Sequence, residues 1–176
     1  MSLFPAVSLR RLSARELAVD SLKPYEHKAF RVSYPANWEI VGDPNSSLTM
    51  DPKGGADRET VAYGTIVSAF TPASGGKELG EATRQLISSI RDTNPALRQA
   101  GNPGNLTVGG RAEKSVEMLG NSAIQEQGQA IPERIRLVAV QGKGNLILYL
   151  VFIAPNANFD GLRPTFDRIL GSFTVR

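Results

Sequence analysis

The chain has 176 residues, 41% of them hydrophobic and 21% charged, the balance of one soluble globular domain with a sizeable core. A net charge of +3, from 20 Lys and Arg scattered among 17 Asp and Glu, excludes the concentrated positive face that nucleic-acid binding needs. Having no cysteine removes disulfides, thiol nucleophiles and thiolate zinc ligands together, and no apolar run approaches the roughly 18 residues of a membrane span.

Met1 to Leu3, running straight into Phe4-Pro5, read as residues added in cloning, with the natural chain continuing upstream of Phe4. Arg10-Arg11 is no twin-arginine signal, because residues 12–22 are too charged to be its apolar core. Residues 1–28 read as a lead-in or linker to a domain at 29–176. Within that lead-in, Ser13 and Glu16 have capping-box spacing, which predicts a short helix to about Asp20, ended by Pro24.

Strands begin at Ala29. Phe30, Val32 and Tyr34 alternate with Arg31 and Ser33, the period of a half-buried strand. Pro35 cannot donate to a ladder and holds Tyr34 extended, so the strand stops there. Trp38 to Val41 starts a second strand, closed by Gly42-Asp43-Pro44, and the tight corner lets Trp38 fold over the face that carries Phe30 and Val32. Burying that ring contributes on the order of 3 kcal/mol or more.

Leu48 to Asp51 reads as a short strand, residues 52–59 as a flexible loop, and Thr60 to Phe70 as a longer strand. Residues 78–93 form the strongest helical pattern, with Leu79, Ala82, Leu86, Ile87 and Ile90 on one stripe and Asn94-Pro95 as the stop. Leu106 to Val108, a Gly109-Gly110 turn and Ala112 to Leu119 follow as strands, then a polar, mobile stretch over 120–130. Arg134–Val140 and Asn145–Ala154 are predicted as a hairpin across a Gly-rich turn.

The run Leu146 to Ile153 does not alternate between apolar and polar, so both of its faces must be covered. A last helix, striped by Leu162, Phe166, Ile169, Leu170 and Phe173, supplies one cover. It is predicted to start at Asp160 to Leu162, which puts Pro164 in its first turn. Hairpin connections with helices on both faces make an α+β fold, a three-layer α/β/α sandwich around a mostly antiparallel sheet.

Chemistry is sparse. His27 is the only histidine, so any Ser-His-Asp triad or His-bound zinc would have to use it; it reads as an exposed loop residue. An HExxH helix needs two histidines and cannot exist here. Ser74 to Glu78 sits where a phosphate loop would, but Thr71 replaces its first glycine and Glu78 its Ser or Thr, so it reads as a helix lead-in. Asp43 to Ser47 opens like a calcium loop, yet Leu48 and Gly54 stand where glycine and glutamate belong, which makes it a turn. Residues 142–145 lack the glycine and helix of a dinucleotide site. Glu113 and Glu117 share a strand face and read as a wet carboxylate pair rather than an acid–base couple. The sequon Asn105-Leu106-Thr107 has meaning only in a eukaryotic secretory setting. No catalytic, cofactor-binding or metal-binding residue is expected in this chain.

The stretch 30–41, with Phe30, Tyr34, Pro35 and Trp38 as its structural signature, resembles the opening of the PsbP family. With the related Ran-binding Mog proteins, that family implies an α/β/α sandwich over about residues 29–176. In addition, residues 30–43, 63–70, 82–98 and 152–173 look like the C-terminal extension of bacterial HtpX-like zinc metallopeptidases. That resemblance implies an accessory domain that binds substrates or partners, with zinc and HExxH in a preceding protease domain of the same polypeptide and a cell-envelope or periplasmic setting. The alternatives are a stand-alone PsbP-like binding module of the envelope, with protein or peptide ligands, and a small carboxylate-based enzyme.

Overall fold

The computed structural model describes residues 9–41, 43, 45, 47–57, 60–72, 78–101, 104–108 and 111–176, the side chains of 105–108 and 111–113 excepted. In chain order the elements are α1 (Ala14–Leu17), β1 (Leu22–Glu26), β2 (Phe30–Pro35), β3 (Trp38–Val41), β4 (Leu48–Pro52), β5 (Gly64–Phe70) and α2 (Leu79–Thr93). They continue with β6 (Arg98–Gln99), β7 (Gly104–Val108), β8 (Arg111–Glu126), β9 (Gln129–Gln141), β10 (Ile147–Pro155), α3 (Asn156–Ser172) and β11 (Thr174–Val175).

One sheet of eight strands has the order β3-β4-β5-β10-β9-β8-β6, with β7 also paired to β8; a second sheet has the order β1-β2-β11. Every pairing between these strands is antiparallel. The central strand β10 sorts its side chains between two layers, as its unbroken apolar run requires. Leu148, Leu150 and Phe152 enter a core with Phe159, Leu162, Phe166 and Ile169 of α3. Val151 and Ile153 enter another with Leu86 and Ile87 of α2. Each such side chain stabilises the fold by about 1.5–3 kcal/mol. On the α3 side Phe166 stacks obliquely on Phe152 and Phe159, at 5.1 and 5.4 Å between centroids. The result is the expected three-layer α+β sandwich.

Its α3 layer holds more than a helix. The β1-β2-β11 sheet lies in it, so the Tyr34-Pro35 corner carries the chain from this small sheet to the edge of the large one. Phe30, Tyr34, Pro35 and Trp38 are all buried, with Trp38 2% exposed and in the same core as Phe30 and Val32. Phe30 stacks between Phe173 and His27, at 5.5 and 4.5 Å.

Several boundaries differ from expectation. Residues 9–28 are no linker: Leu9 and Leu12 sit in the α3-side core, and β1 pairs along the whole of Leu22–Glu26 with β2. The Ser13–Glu16 capping box forms, but its helix is one turn long, and Pro24 lies inside β1 instead of ending a helix. Such a short helix nucleates poorly, and packing of its neighbours decides the path. The later strand begins at Gly64, after a bridge between Ala56 and Val61, because Gly55 is pinned under Pro52 and Tyr63.

The stretch 120–130 is ordered strand. Gln127 and Gly128 both take positive φ, 53° and 76°, as a type I′ hairpin turn demands, and Ile124 is buried. Helix α3 starts at Asn156, directly after Pro155, which puts Pro164 in mid-helix. It is tolerated because Pro164 and Asp160 both face outward, leaving the freed Asp160 carbonyl to solvent. Residues 1–8, the Gly109-Gly110 turn and residues 42 and 44 lie outside the described residues. Among those described, no helix is long and apolar enough to cross a membrane.

Candidate functional site

The face of the large sheet under α2 is only partly covered. Helix α2 lies over β8 and β9 and is held there by Leu97, just beyond its end, which is buried against Gly120 of β8. A Cβ at Gly120 would stand 2.7 Å from the Leu97 side chain, so the glycine is the notch that seats this end of the helix. Towards β10 and β5 the sheet emerges from beneath it. There Ile66, Tyr149, Val151, Ile153 and Ile135 make an apolar floor, Ile90, Thr93, Asn94 and Leu97 make one wall, and Thr60, Val61, Asn121 and Ala123 make the opposite rim. This open groove has a volume of about 490 Å³, within the range of ligand pockets.

One ionisable carboxyl lies in this lining. Glu133 alternates with Ile135 and Leu137 along β9, so it points to the α2 face, and it is 5% exposed. Among the described residues it has no hydrogen-bond or ion-pair partner side chain, and burial pushes it up to about 8. A second buried carboxyl, Asp51 on β4, is raised to about 7 by burial and by Glu39, its register partner on β3. The Ala56 N–H donates to Asp51, while its Oδ1 has no partner. Gly64 lets the strands close over it, since a Cβ there would lie 3.0 Å from the Asp51 Cβ.

The residues singled out from sequence fall elsewhere. Glu117 is on the α3 side, where Arg163 Nη1 at 2.6 Å and Arg134 Nη1 at 3.1 Å both donate to it. Burial pushes its carboxyl up, but the two guanidinium groups outweigh that and hold it below the ordinary range. Both cations also lie over the Phe159 ring. This is a structural cluster, and an ion-paired carboxylate cannot serve as a general acid. The Glu113 side chain lies outside the described residues, as do residues 74–77 and the side chains of the sequon at 105–107.

His27 is half-buried, not exposed. Its ring packs on Phe30 and its Nδ1 accepts the Ala29 N–H, and burial followed by Lys28 lowers its pKa. Asp43 forms a local turn, its Oδ1 accepting from the Asn45 N–H. Among the described residues no three His, Asp or Glu side chains gather as a metal site would need. The signature residues Phe30, Tyr34 and Trp38 meet one another in the α3-side core, on the other side of the sheet from the groove. Glu133 and Asp51 belong to no sequence motif. The signal for Glu133 is its place in the same-face series with Ile135 and Leu137.

Several solved structures share this architecture. The cyanobacterial PsbP protein CyanoP from Synechocystis sp. PCC 6803 aligns with a TM-score of 0.62 at 13% identity, over 96% of this chain and 99% of that one. The fold is PsbP/Mog-like. The Saccharomyces cerevisiae Ran-binding protein Mog1p gives 0.60 at 12% identity, over 88% of this chain and 95% of that one. LpqN of Mycobacterium tuberculosis, involved in cell envelope biogenesis, gives 0.53 at 14%, over 88% and 90%. No family model matches the chain, and no curated protein matches it. At these identities the likeness is one of fold.

Proposed function

We propose that this chain is a non-catalytic binding module whose α2-face groove takes an apolar segment of a partner protein. The observation that carries this reading is the apolar floor of the groove, where Ile66 and Tyr149 are only half-buried and Val151 and Ile153 lie packed beside them, next to a polar rim. A concave apolar surface with a few convergent polar groups is the usual form of a binding site. Mog1p, of the same fold, is a Ran-binding protein, which supports a protein ligand as the kind of partner.

The more specific form of the reading makes this chain the accessory domain of a zinc metallopeptidase. There it holds substrate or partner segments for an HExxH domain in the same polypeptide, which would carry the zinc. It rests on the local sequence resemblances, and reading the gene upstream of Phe4 tests it: absence of an HExxH-encoding segment removes it. The other form is a stand-alone module of the envelope, favoured by the shared fold of LpqN.

The groove itself is tested by a photo-reactive phenylalanine at Tyr149, with Arg168 on the exposed side of α3 as the control position. A discrete protein adduct from position 149, absent from 168 and lost when Ile66→Arg is added, is the expected result. Equal labelling from both positions overturns the groove reading.

A further inference from the structure

Glu133 is an anomaly within this groove. A carboxyl buried without a donor or a cation is costly, and strands of this kind ordinarily carry an apolar residue at such a position. Among the described strand residues, the other carboxylates shielded from solvent have a local explanation: Glu117 has two arginines, and Asp51 takes a backbone N–H. Glu133 has neither, and it lines a cavity of about 490 Å³.

Resting on the binding-module reading above, we propose that the α2-face groove recognises a lysine side chain of the partner segment, its aliphatic stem lying over the apolar floor and its ammonium on the Glu133 carboxylate.

The chemistry of the lining favours that occupant. A carboxylate that lines an open groove and has no counter-charge among the described residues is complementary to a cation. Among the described lining residues there is no cationic side chain to compete, and Tyr149 is the one other ionisable group. Among the described residues, burial is the cause that raises the Glu133 carboxyl. Lysine joins a compact ammonium to a four-carbon apolar stem, so one side chain satisfies floor and carboxylate together. The remaining ammonium protons have Thr93, Asn94 and Asn121 in the same lining. Binding the cation requires Glu133 to ionise, so the complex releases a proton, and affinity climbs as pH is raised from 6 towards 8.

Two probes test this by amide shift changes in the isotope-labelled 176-residue chain: acetyl-Leu-Val-Lys-Val-Leu-amide, and the same peptide with norleucine replacing lysine. The expected result at pH 7 is that the lysine peptide binds at least about tenfold more tightly, with shifts at Glu133, Tyr149 and Ile153. The advantage should grow between pH 6 and 8 and vanish in Glu133→Gln, which keeps the side chain's size and loses its charge. Equal binding of the two peptides, or a lysine preference that survives Glu133→Gln, overturns the ammonium assignment while leaving the groove as a binding surface. If neither peptide moves the groove amides, the lysine proposal also falls, and the photo-crosslink from position 149 decides separately whether the groove binds protein.

Discussion

At the scale of single residues, the two raised carboxyls tie stability to pH in an unusual direction. Glu133 ordinarily titrates near 4.5 and is held up to about 8; Asp51 goes from 3.8 to about 7. Between those limits the folded chain keeps protons that the unfolded chain has released. Stability therefore falls as pH rises, by up to about 1.4 kcal/mol per pH unit for each group. His27, whose pKa is lowered, opposes this around its ordinary 6.5. Urea midpoints measured from pH 5 to 8 should decline, and Glu133→Gln should flatten the decline above pH 7, where Asp51 no longer contributes. Trp38 makes a second case. Its indole N–H is buried with no acceptor among the described residues, so its value is its volume. Trp38→Ala should cost about 3–5 kcal/mol, and Trp38→Phe, which removes the orphan donor, less than about 2 kcal/mol, both read by far-UV circular dichroism in urea. Trp38 was legible in advance because a lone large aromatic after a Pro corner has few places to go. Glu133 was not, because a carboxylate in a strand ordinarily marks the wet face, and only its same-face neighbours Ile135 and Leu137 say otherwise.

At the scale of elements, the groove depends on where α2 stops. Leu97 seated in the Gly120 notch fixes that end of the helix against β8, and the Asn94 N–H closes it by donating to the Ile90 carbonyl. Gly120→Ala places a methyl 2.7 Å from the Leu97 side chain and should destabilise the fold by about 1–3 kcal/mol. Hydrogen exchange should show the loss concentrated at the C-terminal turn of α2, with the α3 face unaffected. Periodicity exposed α2 and β10 well, since both carry long uninterrupted patterns. It misplaced the start of α3, because a proline was assigned to the first turn when its exposure was unknown. It also missed the β8–β9 hairpin: residues 120–130 are polar on the surface, and positive φ at Gln127 is not a property that composition reveals.

At the scale of the whole molecule, the segment 9–28 belongs to the body. The Tyr63 hydroxyl accepts the Leu12 N–H at 3.2 Å and donates to Asn158 Oδ1 at 3.1 Å, joining the lead-in to α3 through one buried ring. Leu12→Ala should lower stability by about 2–4 kcal/mol in thermal unfolding, whereas a detached linker would leave it unchanged. Sparse leucines at 9, 12 and 17 concealed this, since docking against a distant element leaves no periodic trace. The small sheet has a kinetic consequence. Its register sets Thr174 beside Arg31 and Val175 beside Phe30, and the Arg176 guanidinium reaches Glu26 at 2.7 Å. A ribosome therefore releases β1 and β2 long before their third strand exists, and entropy delays closure of so long a loop. Until then the Phe30 ring waits for Phe173, and a nascent chain stalled before position 173 exposes a greasy edge that a chaperone can hold.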